Sequence, residues 1–147
     1  MKVAIIGANG QLGSDLVDVF GEEAIPLTHR DLDVTEPGGV QILKELKPDV
    51  VINTAAYVRV DDAEVEVEKA FQVNAIGALN VAKACNELKA INVYISTDYV
   101  FDGAKGTPYE EDDGRVGGGL PTSVPSSNRT YGFPVYGSPM ALPHCRE

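Results

Sequence analysis

The chain contains no tryptophan and only two cysteines and two histidines among 147 residues. Cations are also scarce: 12 Lys+Arg face 22 Asp+Glu, giving a formal net charge of -10. A surface of that sign repels phosphate backbones and anionic membranes, which argues against nucleic-acid and membrane partners. It leaves room for a local basic pocket that takes a small anionic ligand. Cys85 and Cys145 have neither metal-ligand nor Cys-x-x-Cys spacing, and Cys85 falls in an apolar helical stretch that reads as core. His29 and His144 are far apart and lack ligand-spaced companions, so no metal centre is expected. A Gly-x-Ser-x-Gly elbow is missing too, which removes the usual frame for a serine hydrolase. No apolar run approaches the roughly 20 residues that cross a bilayer. Only Val3–Ile6 separates Lys2 from Gly7, too short for a signal-peptide core. The expectation is a soluble cytoplasmic protein.

At 44% hydrophobic, the chain can bury one core and is too short for two domains. Strand and helix patterns alternate over the first hundred residues. Lys2–Ile6 reads as a strand, and Gln11–Phe20 as a helix with Leu12, Leu16, Val19 and Phe20 on its apolar face. Ala24–Leu27 is a second strand, and Leu32-Asp33-Val34 a very short third. Thr35 is placed to cap a helix with Pro37 in its first turn and Val40, Leu43 and Leu46 at helical spacing, closed by Pro48. Asp49–Asn53 and Ile91–Ser96 read as buried strands, with one long helix over about Val65–Lys89 between them. Continuous apolar strands alternating with amphipathic helices predict a three-layer α/β fold, a Rossmann-like doubly wound parallel sheet.

The most informative segment is Gly7-Ala8-Asn9-Gly10-Gln11-Leu12-Gly13, between the first strand and the first helix. In such a turn the first glycine permits the tight bend and the second lets backbone approach a pyrophosphate. The third allows the helix to pack closely on the strand. The helix N-terminus then offers N–H groups and a positive dipole end to the phosphates. After the second strand come Thr28-His29-Arg30-Asp31. An acid there favours NAD through the ribose hydroxyls, and a base favours NADP through the 2′-phosphate. Both are present; Arg30 is the better phosphate partner because its planar fork binds bidentately. Asp33 is a candidate for the adenine amino group.

Three further segments carry a resemblance: Asp49-Val50-Val51-Ile52-Asn53-Thr54-Ala55-Ala56-Tyr57, Phe71-Gln72-Val73-Asn74-Ala75-Ile76-Gly77, and Tyr94-Ile95-Ser96-Thr97-Asp98-Tyr99-Val100-Phe101-Asp102-Gly103. With the glycine loop they resemble the extended short-chain dehydrogenase/reductases, and within them the dTDP-4-dehydrorhamnose reductase family, over about residues 2–113. The resemblance implies an NADP- or NAD-dependent oxidoreductase acting on a 4-keto nucleotide sugar in dTDP-L-rhamnose biosynthesis. It further implies that Ala55, Ala56 and Tyr57 line the cofactor groove. Asn74 would tie its helix to the sheet backbone, and the Thr97 hydroxyl would polarise the substrate carbonyl for hydride attack.

The family's Tyr-x-x-x-Lys is missing. Tyr99 has Gly103 four residues on, Tyr109 has Asp113, Tyr131 has Val135 and Tyr136 has Met140. Tyr136, in Val135-Tyr136-Gly137-Ser138, is the nominal proton donor, although Pro139 opposes a helix through it. Beyond residue 113 the sequence turns to Gly117-Gly118-Gly119, five prolines and a serine patch, read as an irregular or disordered tail rather than a second domain. That pattern fits either a truncated or frame-shifted product or a short diverged protein. Residues 1–113 are then a truncated Rossmann domain with little or no turnover of its own. Apolar strand surface around Ile91–Ser96 is expected to be exposed, favouring marginal stability or a homo-oligomer.

Overall fold

A computed structural model of the chain describes residues 1–96, 101–110 and 112–114. Four short strands, β1 (Val3–Ile6), β2 (Ala24–Leu27), β3 (Val50–Asn53) and β4 (Ile91–Tyr94), form one parallel sheet in the order β2-β1-β3-β4. Every neighbouring pair is parallel, so each connection must return across the sheet, and the crossovers supply the helical layers. No helix among the described residues is long and apolar enough to cross a membrane.

The central strand β1 is buried along its whole length and feeds two cores by alternation. Val3 and Ile5 join Ala8 and Ile52 on one face, against Leu16, Val17 and Phe20 of α1 (Gln11–Phe20). Ala4 and Ile6 join Leu27 and Val51 on the other, where Leu43 of α2 (Ile42–Leu46) and Val81, Ala84 and Cys85 of a later helix close the layer. The buried stripe of α1 therefore runs through Gly13, Leu16, Val17 and Phe20, not through Leu12 and Val19, both of which are exposed. Placing a glycine in the stripe lets the helix start close to the strand end and rotates the apolar face by one residue.

Three other expectations are corrected. Leu32-Asp33-Val34 forms no strand. Leu32 and Val34 are buried in the second core, but the Asp33 carboxylate folds back on Thr35 and ends any extended run. Thr35 caps no helix, because its hydroxyl donates to Asp33 Oδ1 at 2.7 Å. The segment instead passes through a 3₁₀ turn at Gly39–Gln41 into α2, which ends at left-handed Lys47 (φ 48°) before Pro48. The long helix is divided. α3 (Val60–Val65) and α4 (Val67–Phe71) meet at a kink at Glu66, a π-helical stretch covers Gln72–Gly77, and α5 (Ala78–Leu88) completes the crossover. Gly77 is needed there: a Cβ on it would lie 2.6 Å from Val34 Cγ2.

The strand β4 is not fully buried. Register pairs Val50 with Ile91 and Ile52 with Val93, which puts these side chains on the α1 face of the sheet. Helix α1 packs over β1 and β2 and stops short of them, so Ile91, Val93 and the following Ile95 stay 64%, 38% and 43% exposed. The apolar surface expected around Ile91–Ser96 is thus in the open.

This asymmetry has a stability signature. Leu43→Ala should cost about 2–5 kcal/mol, because Leu43 is fully buried between the sheet and α5. Val93→Lys should cost under about 1 kcal/mol, since it removes a half-open side chain and leaves the backbone ladder intact. Urea unfolding of the two variants checks the contrast.

Candidate functional site

The register aligns Ile6 with Leu27 and Asn53, and Asn53 with Tyr94, so the loops leaving all four strands emerge at one edge. β2 lies on one side of β1 and β3 on the other, so the connections diverge between β1 and β3. In open α/β sheets a crevice forms at such a switch point, outside the carboxyl ends of the strands.

The glycine loop fills one wall of this crevice. Gly7 adopts φ 81°, a left-handed conformation that side chains resist, and a Cβ there would meet Thr54 Oγ1 at 2.8 Å. Gly7 and Ala8 donate their N–H groups to Leu27 O at 2.9 and 3.1 Å, which stitches the loop to the end of β2. Thr54 Oγ1 donates to Ile6 O at 2.7 Å and joins it to the end of β3. Gly13 is the tightest point: a Cβ would lie 2.2 Å from Gly7 O. Gly10 is less constrained, with φ -77° and its nearest such contact, Gly7 O, at 3.2 Å, so a side chain there asks the loop to give only slightly.

Helix α1 begins without a side-chain cap and without an acid in its first turn. Its first backbone bond runs from Ser14 N–H to Gly10 O at 2.9 Å, leaving the Gln11, Leu12 and Gly13 N–H groups without an intrahelical acceptor. Asn9, Gly10, Gln11 and Leu12 are exposed. Unpaired N–H groups, a positive dipole end and open backbone are what a phosphate group needs. The cradle fits a pyrophosphate.

Beyond β2 the chain makes a single turn about Thr28. Asp31 and Leu32 N–H groups both donate to Thr28 O at 3.0 Å. The Asp31 carboxylate accepts from Thr28 Oγ1 at 2.7 Å and from Thr28 N at 2.9 Å, and these bonds hold its pKa below the ordinary carboxylate range. Asp33 is likewise committed. The Thr35 hydroxyl and backbone N–H depress its pKa, and His29 Nε2 lies 3.8 Å from its other oxygen. Arg30 is exposed, and its guanidinium makes no ion pair or hydrogen bond among the described residues.

Beyond β3, Ala55 N–H donates to the buried Asn53 side chain at 3.1 Å. Asn74, in the π-helical stretch, accepts from Tyr57 N at 2.8 Å and donates to Tyr57 O at 3.1 Å. These two bonds tie the helix to the loop after β3. Tyr57 donates its hydroxyl to Glu66 Oε2 at 2.6 Å, which pushes its pKa up to about 12, and the Lys69 ammonium stands 5.5 Å from its ring. Ala56 is exposed beside them. Spacing gave no hint of the Glu66 contact, because it arises from the kink between α3 and α4. Cys85 is a free, buried thiol, its pKa raised to about 11 by burial. Thr97, Tyr136, Cys145 and His144 lie outside the described residues. Among the described residues no group of three or more His, Cys, Asp or Glu could hold a metal ion.

A parallel sheet with helices on both faces, with a glycine turn at its switch point, defines a Rossmann-like nucleotide-binding fold. The family model described as the RmlD substrate binding domain matches residues 1–117, and the chain belongs to that family. It is 42% identical over 117 residues to a dTDP-4-dehydrorhamnose reductase of Aggregatibacter actinomycetemcomitans, covering 76% of this chain and 40% of that one. It is 40% identical over 116 residues to the spore coat polysaccharide biosynthesis protein SpsK of Bacillus subtilis, covering 76% of this chain and 41% of that one. The crystal structure of the Bacillus anthracis dTDP-4-dehydrorhamnose reductase in complex with NADP superimposes with a TM-score of 0.74 at 43% identity, over 79% of this chain and 44% of that one. The chain thus spans about two fifths of the length of the curated relatives it matches.

The depressed carboxylates set a pH dependence. Asp31 and Asp33 bind protons less readily in the folded chain than unfolded, so stability rises with pH through their titration and is lost as pH falls below about 4. Asp33→Asn should flatten this acid limb in thermal-melting curves between about pH 3 and 6 while changing the neutral-pH melting temperature less than the acid one.

Proposed function

We propose that this chain is the cofactor-binding portion of an NADP(H)-dependent reductase of a 4-keto nucleotide sugar, of the dTDP-4-dehydrorhamnose reductase type and within the short-chain dehydrogenase/reductase superfamily. The observation that supports it most is the glycine cradle at the β1/β3 switch point, with Gly13 held against Gly7 O and the α1 N–H groups open. In this reading Gly7, Asn9, Gly10, Gln11, Leu12 and Gly13 receive the pyrophosphate. Arg30 pairs with the 2′-phosphate, Asp33 reaches the adenine, and Ala55, Ala56 and Tyr57 line the groove, with Asn74 holding the Tyr57 backbone. A reduced nicotinamide bound there supplies hydride for the sugar's keto carbon. The Thr97 hydroxyl, two residues past Ile95, would donate a hydrogen bond to the carbonyl oxygen. A cytoplasmic location goes with this reading.

The missing Tyr-x-x-x-Lys favours a second reading, a non-catalytic NAD(P)-binding or regulatory module, or a remnant of a reductase. Tyr136 is the nominal donor but has Met140, not lysine, four residues on. In the family the resemblance points to, that lysine lowers the tyrosine pKa, and a positioned general acid is worth about 10²–10⁴-fold. We expect NADPH to bind and the dTDP-keto sugar to turn over slowly or not at all.

Gly10→Val tests the cradle: its Cβ would stand 3.2 Å from Gly7 O, so the loop gives by a few tenths of an ångström, while the branched side chain crowds the pyrophosphate of this reading. Circular dichroism should be unchanged, while NADPH affinity should fall about tenfold or more. Equal binding by the wild type and Gly10→Val would remove the cradle from the site.

A further inference from the structure

The turn after β2 holds a carboxylate in check. Asp31 is the acid that follows β2 most closely, and a free carboxylate at this end of the sheet selects NAD by accepting from the ribose hydroxyls and repelling a 2′-phosphate. Here its Oδ2 takes both the Thr28 hydroxyl proton, at 2.7 Å, and the Thr28 N–H, at 2.9 Å. The same hydroxyl oxygen accepts the Arg30 N–H at 3.3 Å, so one side chain holds the acid and anchors the backbone that carries the base. The turn cannot drift away from the phosphate cradle, because Leu27 O, one residue before it, receives the Gly7 and Ala8 N–H groups. The next acid, Asp33, has its Oδ1 taken by the Thr35 hydroxyl and N–H. Among the described residues, the Arg30 guanidinium on this turn makes no ion pair or hydrogen bond.

We infer that Thr28 is a specificity-determining residue that favours NADPH over NADH by locking Asp31 onto its own turn and leaving Arg30 as the free charge at the 2′ position. The inference rests on the cofactor reading above. Thr28 acts through Asp31 and is a positioning residue, not a binding one. Loss of its hydroxyl leaves only the backbone N–H on the carboxylate, which can then swing toward the ribose.

The test is the ratio of NADPH to NADH affinity, measured by titration of the full chain. In Thr28→Ala the ratio should fall by about three- to tenfold, the scale of one side-chain hydrogen bond, through tighter NADH and weaker NADPH binding. Thr28→Ser, which keeps the hydroxyl, should retain the wild-type ratio. In Thr28→Ala combined with Asp31→Ala the gain in NADH affinity should vanish, because no carboxylate remains to release. A Thr28→Ala variant that weakens both cofactors equally has only lost turn structure and overturns the inference, as does a ratio in Thr28→Ser that matches Thr28→Ala. Failure of the wild type to bind either dinucleotide overturns the cofactor reading itself, and the inference with it.

Discussion

Where α1 leaves the sheet, Gly13 sits so close to the Gly7 carbonyl that a single added carbon would lie 2.2 Å from its oxygen. That approach fixes how the first helix starts and therefore which of its faces meets β1. Leu16, Val17 and Phe20 reach the core because Gly13 precedes them in the same stripe. It also fixes the loop. With the helix pressed against the strand end, Gly7 must take positive φ, and its N–H turns to Leu27 O while Thr54 closes from β3. The same contact that packs the helix leaves three N–H groups at its start without an intrahelical acceptor. Packing and the phosphate cradle are one geometric solution.

The second dependence is on burial of polar groups. Asn74 sits in a largely apolar crossover and is nearly inaccessible, so its amide has to be met; both Tyr57 backbone groups meet it. The loop after β3 is thereby held at the mouth of the crevice from the opposite wall. The π-helical stretch carrying Asn74 departs from regular α-helix at the point where this tie is made, and such stretches recur at functional sites. Three loops, after β1, β2 and β3, are each fastened by a different device, and all three are carried at the same edge of the sheet.

Much of this was legible in the sequence. The strands Val3–Ile6, Ala24–Leu27 and Val50–Asn53 follow from short apolar runs, and α1 from its amphipathic spacing and its glycines. Less legible were features set by contacts distant in sequence or by side chains folding onto their own backbone. Leu32 and Val34 look like strand residues because they are buried, yet Asp33 turns the chain between them. The helix over 65–89 reads as continuous because its apolar spacing persists across Glu66 and the π-helical stretch, neither of which changes residue type. The Thr28–Asp31 bonds had a signal, since Thr-x-x-Asp is the spacing of a capping box, here closing one turn instead of opening a helix.

The central claim is that the switch-point crevice takes a dinucleotide through backbone N–H groups of the α1 start. The most direct measurement is the amide nitrogen–proton spectrum of the labelled chain titrated with NADP. Saturable shifts should concentrate at Gly7 to Gly13, with smaller ones at Thr28 to Asp31 and Thr54 to Tyr57, and leave Val81 to Leu88 unmoved. Shifts that miss Gln11, Leu12 and Gly13, or that gather instead on the exposed face of β4, would contradict it.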